Sequence, residues 1–482
     1  MVFCHWGQAT MPRGTRRCTG PFPSISLQIP LNRHCSWIES CPGKVNAPAV
    51  GEQYSCLIDQ HQRAGAISGK TMRVTIDVSV IGLARLYQTA RTGIYRVISS
   101  LAPELLRLND DMEVQVTSLS STRVNRLTRQ FFEELHEADR FVGVRHLEER
   151  LFDVASAVGP VDRWQLAERL VARLFRKMRR QDIGRGCDVF HSTFAALPGY
   201  SAPVLSFLSI YDIIPVLHPQ YFWKDFDKEF REILASVRPE QDFVLTISES
   251  SKNDICEYLG MAEERVFVTY PAAAADLYHP EPDRVKIRRV LDRYGIAEAG
   301  YVLSLATLEH RKNLRATIEG YRRLVAEHPQ DARSLVLVGA RGWKVERVLT
   351  QIQEDEMLRD RVVMTGYVRD EDLSSLYSGA AVFVYPSLYE GFGLPPLEAM
   401  CCGVPVITSN TSSLPEVVGS AGITVAPDDM DALADALLRV LGESDVAQEL
   451  AARGLERARQ FSWEQCAKAT MAAYQQAWND RG

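Results

Sequence analysis

From Met72 onward the chain alternates short apolar runs with amphipathic helical patterns. This alternation limits the fold more than any other feature. Near-continuous apolar strands separated by helices bury both faces of a parallel sheet. In the first half the expected strands are 73–78, 114–119, 188–191, 204–209, 243–247 and 266–269. In the second half they are 301–305, 334–339, 362–365, 382–385, 404–408 and 423–425. Two such sets predict an α/β protein of two doubly wound Rossmann-like domains, 72–275 and 293–460, followed by a terminal segment, 461–482. The joint falls at 270–292, where YPAAAADLYHPEPD mixes Pro, Ala and acidic residues. Neither half carries GxGxxG after its first strand, so the glycine turn of a dinucleotide oxidoreductase is missing.

Residues 1–71 differ from the rest of the chain, being rich in Pro, Gly, Ser, Cys and Arg without a sustained period. Two readings compete: a disordered extension, or a start placed too early, with Met72 as the initiator. Five of the ten cysteines lie in the first 56 residues, none in a CxxC pair, which fits reduced thiols. A net charge of −6 argues against nucleic acid as the main partner. No run is long and apolar enough to span a bilayer, and no signal-peptide core follows the first arginines. The expected location is therefore the cytoplasm. The basic amphipathic stretch at 164–178, with Arg169, Arg173, Arg176 and Lys177 around an apolar face, adds the option of peripheral attachment to the inner face of a plasma membrane.

The segment richest in chemistry is 382–410, VFVYPSLYEGFGLPPLEAMCCGVPVITSN. A buried strand ends at Tyr385-Pro386, a loop carries Glu390-Gly391-Phe392-Gly393, and Pro395-Pro396 opens a helix bearing Glu398. The glycines let backbone approach a ligand, and the helix start, with Leu394, suits an anion. Carboxylates at 390 and 398 would repel phosphate, so they are expected to accept hydrogen bonds from sugar hydroxyls. A second anchor is Arg311-Lys312 in SLATLEHRKNL, just past a strand and before a helix near Asn313. Basic side chains at a strand's carboxyl end face the cleft where α/β sheets bind ligands, and Arg can chelate two phosphate oxygens.

EGFGLPPLEAM with its E-x7-E spacing, GVPVITSN and the R-K-N element together resemble retaining glycosyltransferase family 4. That family has the GT-B fold, two Rossmann-like domains facing a cleft. The resemblance implies that Glu390 lies by the transferred sugar, that Glu398 holds the ribose, and that Gly391, Phe392, Gly393 and Leu394 serve sugar and phosphate. It assigns Arg311 and Lys312 to the diphosphate leaving group. Turns at Gly339 and at Gly366-Tyr367-Val368 would surround the base. In the first domain, Arg91-Thr92-Gly93 resembles the glycine loop over the donor phosphates, with Gly93 alone where relatives carry two glycines. Tyr211-Asp212-Ile213-Ile214-Pro215 resembles a His-Asp element. Tyrosine replaces the histidine, which shifts the expected catalytic role to Asp212, itself also suited to capping the next turn. Ser248 caps a helix and is expected to line the cleft. Phe461-Ser462-Trp463 opens a terminal helix that in the family crosses back to the first domain.

The implied reaction transfers a hexose, GDP-mannose being the favoured donor and a UDP- or dTDP-linked sugar the alternative, to a hydroxyl of a glycan or lipid-linked acceptor in polysaccharide or glycolipid assembly. The resemblance implies retention by front-face attack. The nucleotide sugar is a substrate, no other cofactor is called for, and no metal is expected because no DxD stands in a plausible cleft position. A sugar-nucleotide epimerase and a noncatalytic GT-B scaffold are the rival functions. Deleting residues 1–71 is expected to leave activity intact, a loss of folding, read as a lost thermal unfolding transition, being the contrary result.

Overall fold

The computed structural model describes residues 71–87, 93–108, 112–142, 186–198, 204–222, 225–297, 299–307, 309–330, 333–339 and 346–481. The expected glycine-loop residues Arg91 and Thr92, the stretch 164–178 and residues 1–70 lie outside them.

The apolar runs form two parallel sheets. The first joins β1 (Met72–Asp77), β2 (Met112–Thr117), β3 (Phe141–Val142), β4 (Val189–Ser192), β5 (Leu205–Ser209), β6 (Phe243–Thr246) and β7 (Val266–Val268). Its order is β3-β2-β1-β4-β5-β6-β7. The second joins β8 (Tyr301–Leu305), β9 (Leu335–Val338), β10 (Val362–Gly366), β11 (Ala380–Tyr385), β12 (Val406–Ser409) and β13 (Gly422–Val425), in the order β10-β9-β8-β11-β12-β13. Every pairing is parallel. Twelve strands match the expected runs to within a few residues. The two-residue β3 has no counterpart among those runs, since Phe-Val alone carries no period.

The order reverses direction between β1 and β4 and again between β8 and β11. At such a switch point the helices leaving neighbouring strands go to opposite faces and open a crevice at the strands' carboxyl ends. The helices around the crevices are α1 (Gly93–Arg107), α2 (Glu249–Leu259), α3 (Leu314–Glu327), α4 (Asp370–Ser378) and α5 (Leu394–Cys401). No described helix is long and apolar enough to cross a membrane.

The last helix, α6 (Trp463–Asn479), is capped by Ser462, whose hydroxyl accepts from Gln465 N–H at 3.1 Å. Phe461, just before it, packs in the second domain against Tyr270 and Phe392. Cys466, Ala467, Ala473, Tyr474 and Ala477 then join the core of the first domain. The alanines let the helix lie close to α1, and Tyr474 meets Phe207 of β5 edge to face at 5.0 Å. The Tyr474 hydroxyl lies 2.6 Å from His191 Nδ1, and His191 Nε2 lies 2.8 Å from the Ser209 hydroxyl. Burial holds this imidazole down to about 3, so it is neutral and fully hydrogen-bonded at pH 7. Tyr474→Phe leaves one buried ring nitrogen without its partner. It is expected to destabilise the protein by about 1–3 kcal/mol, measured as a shift in the urea midpoint at unchanged slope.

Candidate active site

The site forms where β8 and β11 end side by side. After β8 the chain makes a single 3₁₀ turn, His310–Lys312, and Asn313 comes next in the left-handed conformation at φ 55°. Asparagine tolerates this region, and here its amide is also anchored, donating to the Pro386 carbonyl at 3.0 Å and the Pro427 carbonyl at 2.6 Å. The turn swings Arg311 and Lys312 toward the loop after β11, and α3 begins at Leu314.

Glu390, buried in that loop, meets both cations. Arg311 Nη1 donates to Glu390 Oε2 at 2.6 Å and to the Tyr389 carbonyl at 2.7 Å, while Nη2 donates to Glu309 at 2.9 Å. Lys312 Nζ donates to Glu390 Oε1 and to the Tyr385 hydroxyl, each at 2.6 Å. The Tyr385 and Ser387 hydroxyls also donate to Glu390 Oε1, at 2.9 and 2.6 Å. Burial opposes ionisation of this carboxyl, but Arg311, Lys312 and the hydrogen bonds outweigh it and bring the Glu390 pKa down to about 2. Burial and the neighbouring guanidinium together lower the ammonium of Lys312, against the pull of Glu390. Four protein donors thus occupy the carboxylate expected to receive sugar hydroxyls.

The glycine loop closes against the first domain. A Cβ on Gly391 would stand 2.8 Å from Asp212 Oδ2, so glycine permits this approach. Asp212 accepts from Ile214 N–H at 3.0 Å, the turn cap anticipated for it. It also lies close enough to Arg311, Glu390 and Lys312 to feel their charges. Burial raises the Asp212 carboxyl above its ordinary range, with Arg311 opposing. Tyr211 points elsewhere: its hydroxyl donates to the Thr193 carbonyl at 3.0 Å and its ring packs against the first core. Ser248 caps α2 and its hydroxyl donates to the Gly391 carbonyl at 2.7 Å, combining both expectations for that residue. Glu416 of the second domain accepts from Glu249 N–H at 2.8 Å and the Tyr270 hydroxyl at 2.6 Å. A carboxylate is favoured at that helix start.

Gly393, at φ 120°, precedes α5. Pro395 and Pro396 carry no N–H, and Leu397 N–H is bonded to the Gly393 carbonyl, so any anion donors here come from Gly393 and Leu394. Phe392 is buried in the second core rather than facing a cleft. One turn into α5, Glu398 accepts from the Tyr377 hydroxyl at 3.0 Å, and Arg96 Nη1 of the first domain stands 3.6 Å from it. Arg96 also donates to the Tyr278 hydroxyl at 3.1 Å and to Asp370 at 2.9 Å. Burial raises the Glu398 carboxyl, with Arg96 opposing. Gly93 opens α1 one turn from Arg96, and among the described residues no atom lies within 4 Å of where a Cβ would stand.

The two base-side turns adjoin, Gly339 N–H donating to the Gly366 carbonyl at 3.0 Å. Gly339 adopts φ 137°, and a Cβ there would meet the Ala306 carbonyl oxygen, so glycine is obligatory. The pair Tyr367-Val368 divides: Tyr367 is 72% exposed, whereas Val368 sits in the core. Sequence reasoning missed Tyr385, Ser387, Arg96, Tyr377, Tyr278 and Glu416. Their types are common in strands, helices and loops, and nothing in their spacing marks them.

These two facing doubly wound domains are the GT-B fold. A solved structure of Anabaena Alr3699/HepE in complex with UDP and glucose matches with a TM-score of 0.55 at 17% identity, covering 86% of this chain and 100% of that one. Residues 291–460 match the glycosyl transferases group 1 family. Among curated relatives, Escherichia coli O-antigen chain mannosyltransferase B is 40% identical over 263 residues, covering 54% of this chain and 66% of that protein. The serotype-specific mannosyltransferase WbdA of Escherichia coli is 32% identical over 271 residues, 56% of this chain and 33% of that protein. The chain therefore spans less than two thirds of the length of these two relatives.

Glu390→Gln removes the charge that compensates two buried cations, and is expected to cost about 3 kcal/mol at pH 7. Because the folded carboxyl lies below its ordinary 4.5, this stability is complete above pH 4.5 and is lost as pH falls toward about 2. Urea unfolding of wild type and variant should therefore converge across that window.

Proposed function

We propose that the protein is a retaining glycosyltransferase that moves mannose from GDP-mannose to a hydroxyl of a glycan or lipid-linked acceptor in surface polysaccharide assembly. The observation that carries the reading is the Arg311–Lys312–Glu390 cluster at the β8/β11 switch point of a glycosyl transferases group 1 domain. The mannosyltransferase names of the relatives support mannose, and the O-antigen chain in the name of the first supports a polysaccharide acceptor.

As the bond from the sugar's anomeric carbon to the β-phosphate oxygen breaks, negative charge grows on that phosphate. Arg311 and Lys312 stabilise this charge, the main catalytic contribution in a preorganised site. The Arg311–Glu309 pair, in which Glu309 is the more exposed partner, is the contact that a phosphate exchanges for its own oxygens. Glu390 holds both cations in place from behind and stands beside the transferred sugar. The acceptor oxygen bonds to the anomeric carbon on the face the diphosphate leaves, and the acceptor proton passes to the departing phosphate oxygen. Gly391, Gly393 and Leu394 lend main-chain donors to sugar and phosphate, and Gly93 closes over the phosphates from the first domain. Glu398 accepts the ribose hydroxyls, and exposed Tyr367 with the Gly339 turn borders the base. Asp212, raised by burial, presents a carboxyl beside the transferred sugar.

Thermal unfolding with GDP, UDP, ADP and dTDP reads the donor base, GDP being expected to stabilise most. Released GDP from GDP-mannose reads the chemistry. Arg311→Ala and Lys312→Ala should each lower it by about 10²–10³-fold. A C2-inverted sugar nucleotide in place of GDP and a transferred hexose would move the assignment to an epimerase.

A further inference from the structure

The cleft has a second feature that donor chemistry leaves unused. His218 and Tyr221, from the first-domain segment after the short helix Ile214–Leu217, meet Tyr389 and His310 of the second domain. Ring centroids lie 4.8 Å apart for His218–Tyr389, 5.7 Å for Tyr221–His310 and 5.4 Å for His218–Tyr221. The Tyr389 hydroxyl donates to Asp254 of α2 at 2.7 Å, and Gln220 stands exposed beside His218. His310 is exposed, and His218, Tyr221 and Tyr389 are half-buried, so the rings are set in place yet open to a ligand.

Position and composition limit what such a rim can hold. His310 immediately precedes Arg311, and Tyr389 immediately precedes Glu390, so a molecule seated on the rings reaches the reacting centre within one residue's length. None of the six side chains carries a fixed positive charge, which argues against a phosphate. Rings offer apolar edges and faces, while the carboxylate, imidazoles and amide accept or donate hydrogen bonds around them. A pyranose has the complementary make-up, with a C–H face bounded by hydroxyls. Because both domains contribute, the platform is complete when they face each other as they do here.

We infer that His218, Tyr221, His310 and Tyr389, with Asp254 and Gln220, form a binding subsite for the hexose at the growing end of the glycan acceptor. This inference rests on the proposed transferase activity and adds the acceptor side to it. The subsite holds the acceptor sugar so that one of its hydroxyls points at the anomeric carbon held near Arg311 and Glu390.

The test uses the full chain with saturation-transfer NMR, methyl α-D-mannopyranoside and its α-linked disaccharide serving as probes in the presence of GDP. Wild type should saturate the probe ring protons. Tyr221→Ala and His218→Ala should weaken probe binding by about tenfold, the value of one ring contact, while Tyr221→Phe retains it. Tyr221→Leu keeps an apolar side chain without a ring, so its loss of signal at an unchanged melting temperature separates recognition from misfolding. Wild-type signals in the Ala and Leu variants, or no signal in wild type, would overturn the subsite. So would unchanged sugar signals combined with weaker retention on phosphatidylglycerol vesicles, which would make the segment a lipid contact. Thermal stabilisation by GDP or UDP on the same samples reads the donor side separately, and its absence would overturn the transferase reading itself.

Discussion

The buried carboxylate of Glu390 is the interaction that holds the site together. Arg311 and Lys312 are both largely withdrawn from water, with side chains 14% and 15% exposed, and two cations side by side repel. Such an arrangement persists when an anion of excellent geometry compensates it. Glu390 gives one oxygen to each cation, and Tyr385 and Ser387 complete the set of donors. The carboxylate is itself positioned by backbone, since Glu390 N–H donates to the Ser412 hydroxyl at 2.9 Å and Ser413 donates to the Glu390 carbonyl at 2.9 Å. A site with fixed charges and satisfied partners needs little reorganisation when charge develops on a ligand.

The first domain contributes by closing over this network. Gly391 is the contact point: its missing side chain admits Asp212, and its carbonyl receives the Ser248 and Ser251 hydroxyls. Glu416 caps α2 from the opposite domain, and α6 ties the last residues of the chain back into the first core. Arg96 makes the corresponding bridge on the Glu398 side. The two carboxylates of the E-x7-E spacing therefore sit in different electrostatic settings. Glu390 is held well below its ordinary range by two cations, and Glu398 is raised by burial against one partially exposed guanidinium.

A GT-B fold is compatible with many chemistries, so fold alone does not name a reaction. The choice is narrowed by the placement of paired cations and a carboxylate at a switch point, within a domain that matches the glycosyl transferases group 1 family. The aromatic rim adjoining Arg311 and Glu390 gives that centre a second, differently composed approach.

Local order along the chain was enough to set the two-sheet architecture, because apolar runs of strand length leave few alternatives to a covered parallel sheet. It was also enough for the loop bearing Glu390, the Arg311-Lys312 pair and the capping role of Ser248, since each is written in consecutive residues. The remaining features came from packing in three dimensions. That Glu390 would be saturated by Arg311, Lys312, Tyr385 and Ser387 depends on β8 and β11 lying side by side, a pairing between segments about eighty residues apart. That Tyr211 would turn toward Thr193 and Val368 into the core depends on which face of the strand end is covered. Arg96, Tyr278 and Glu416 acquired their roles through contacts between domains, and no periodicity within one element encodes a partner on another.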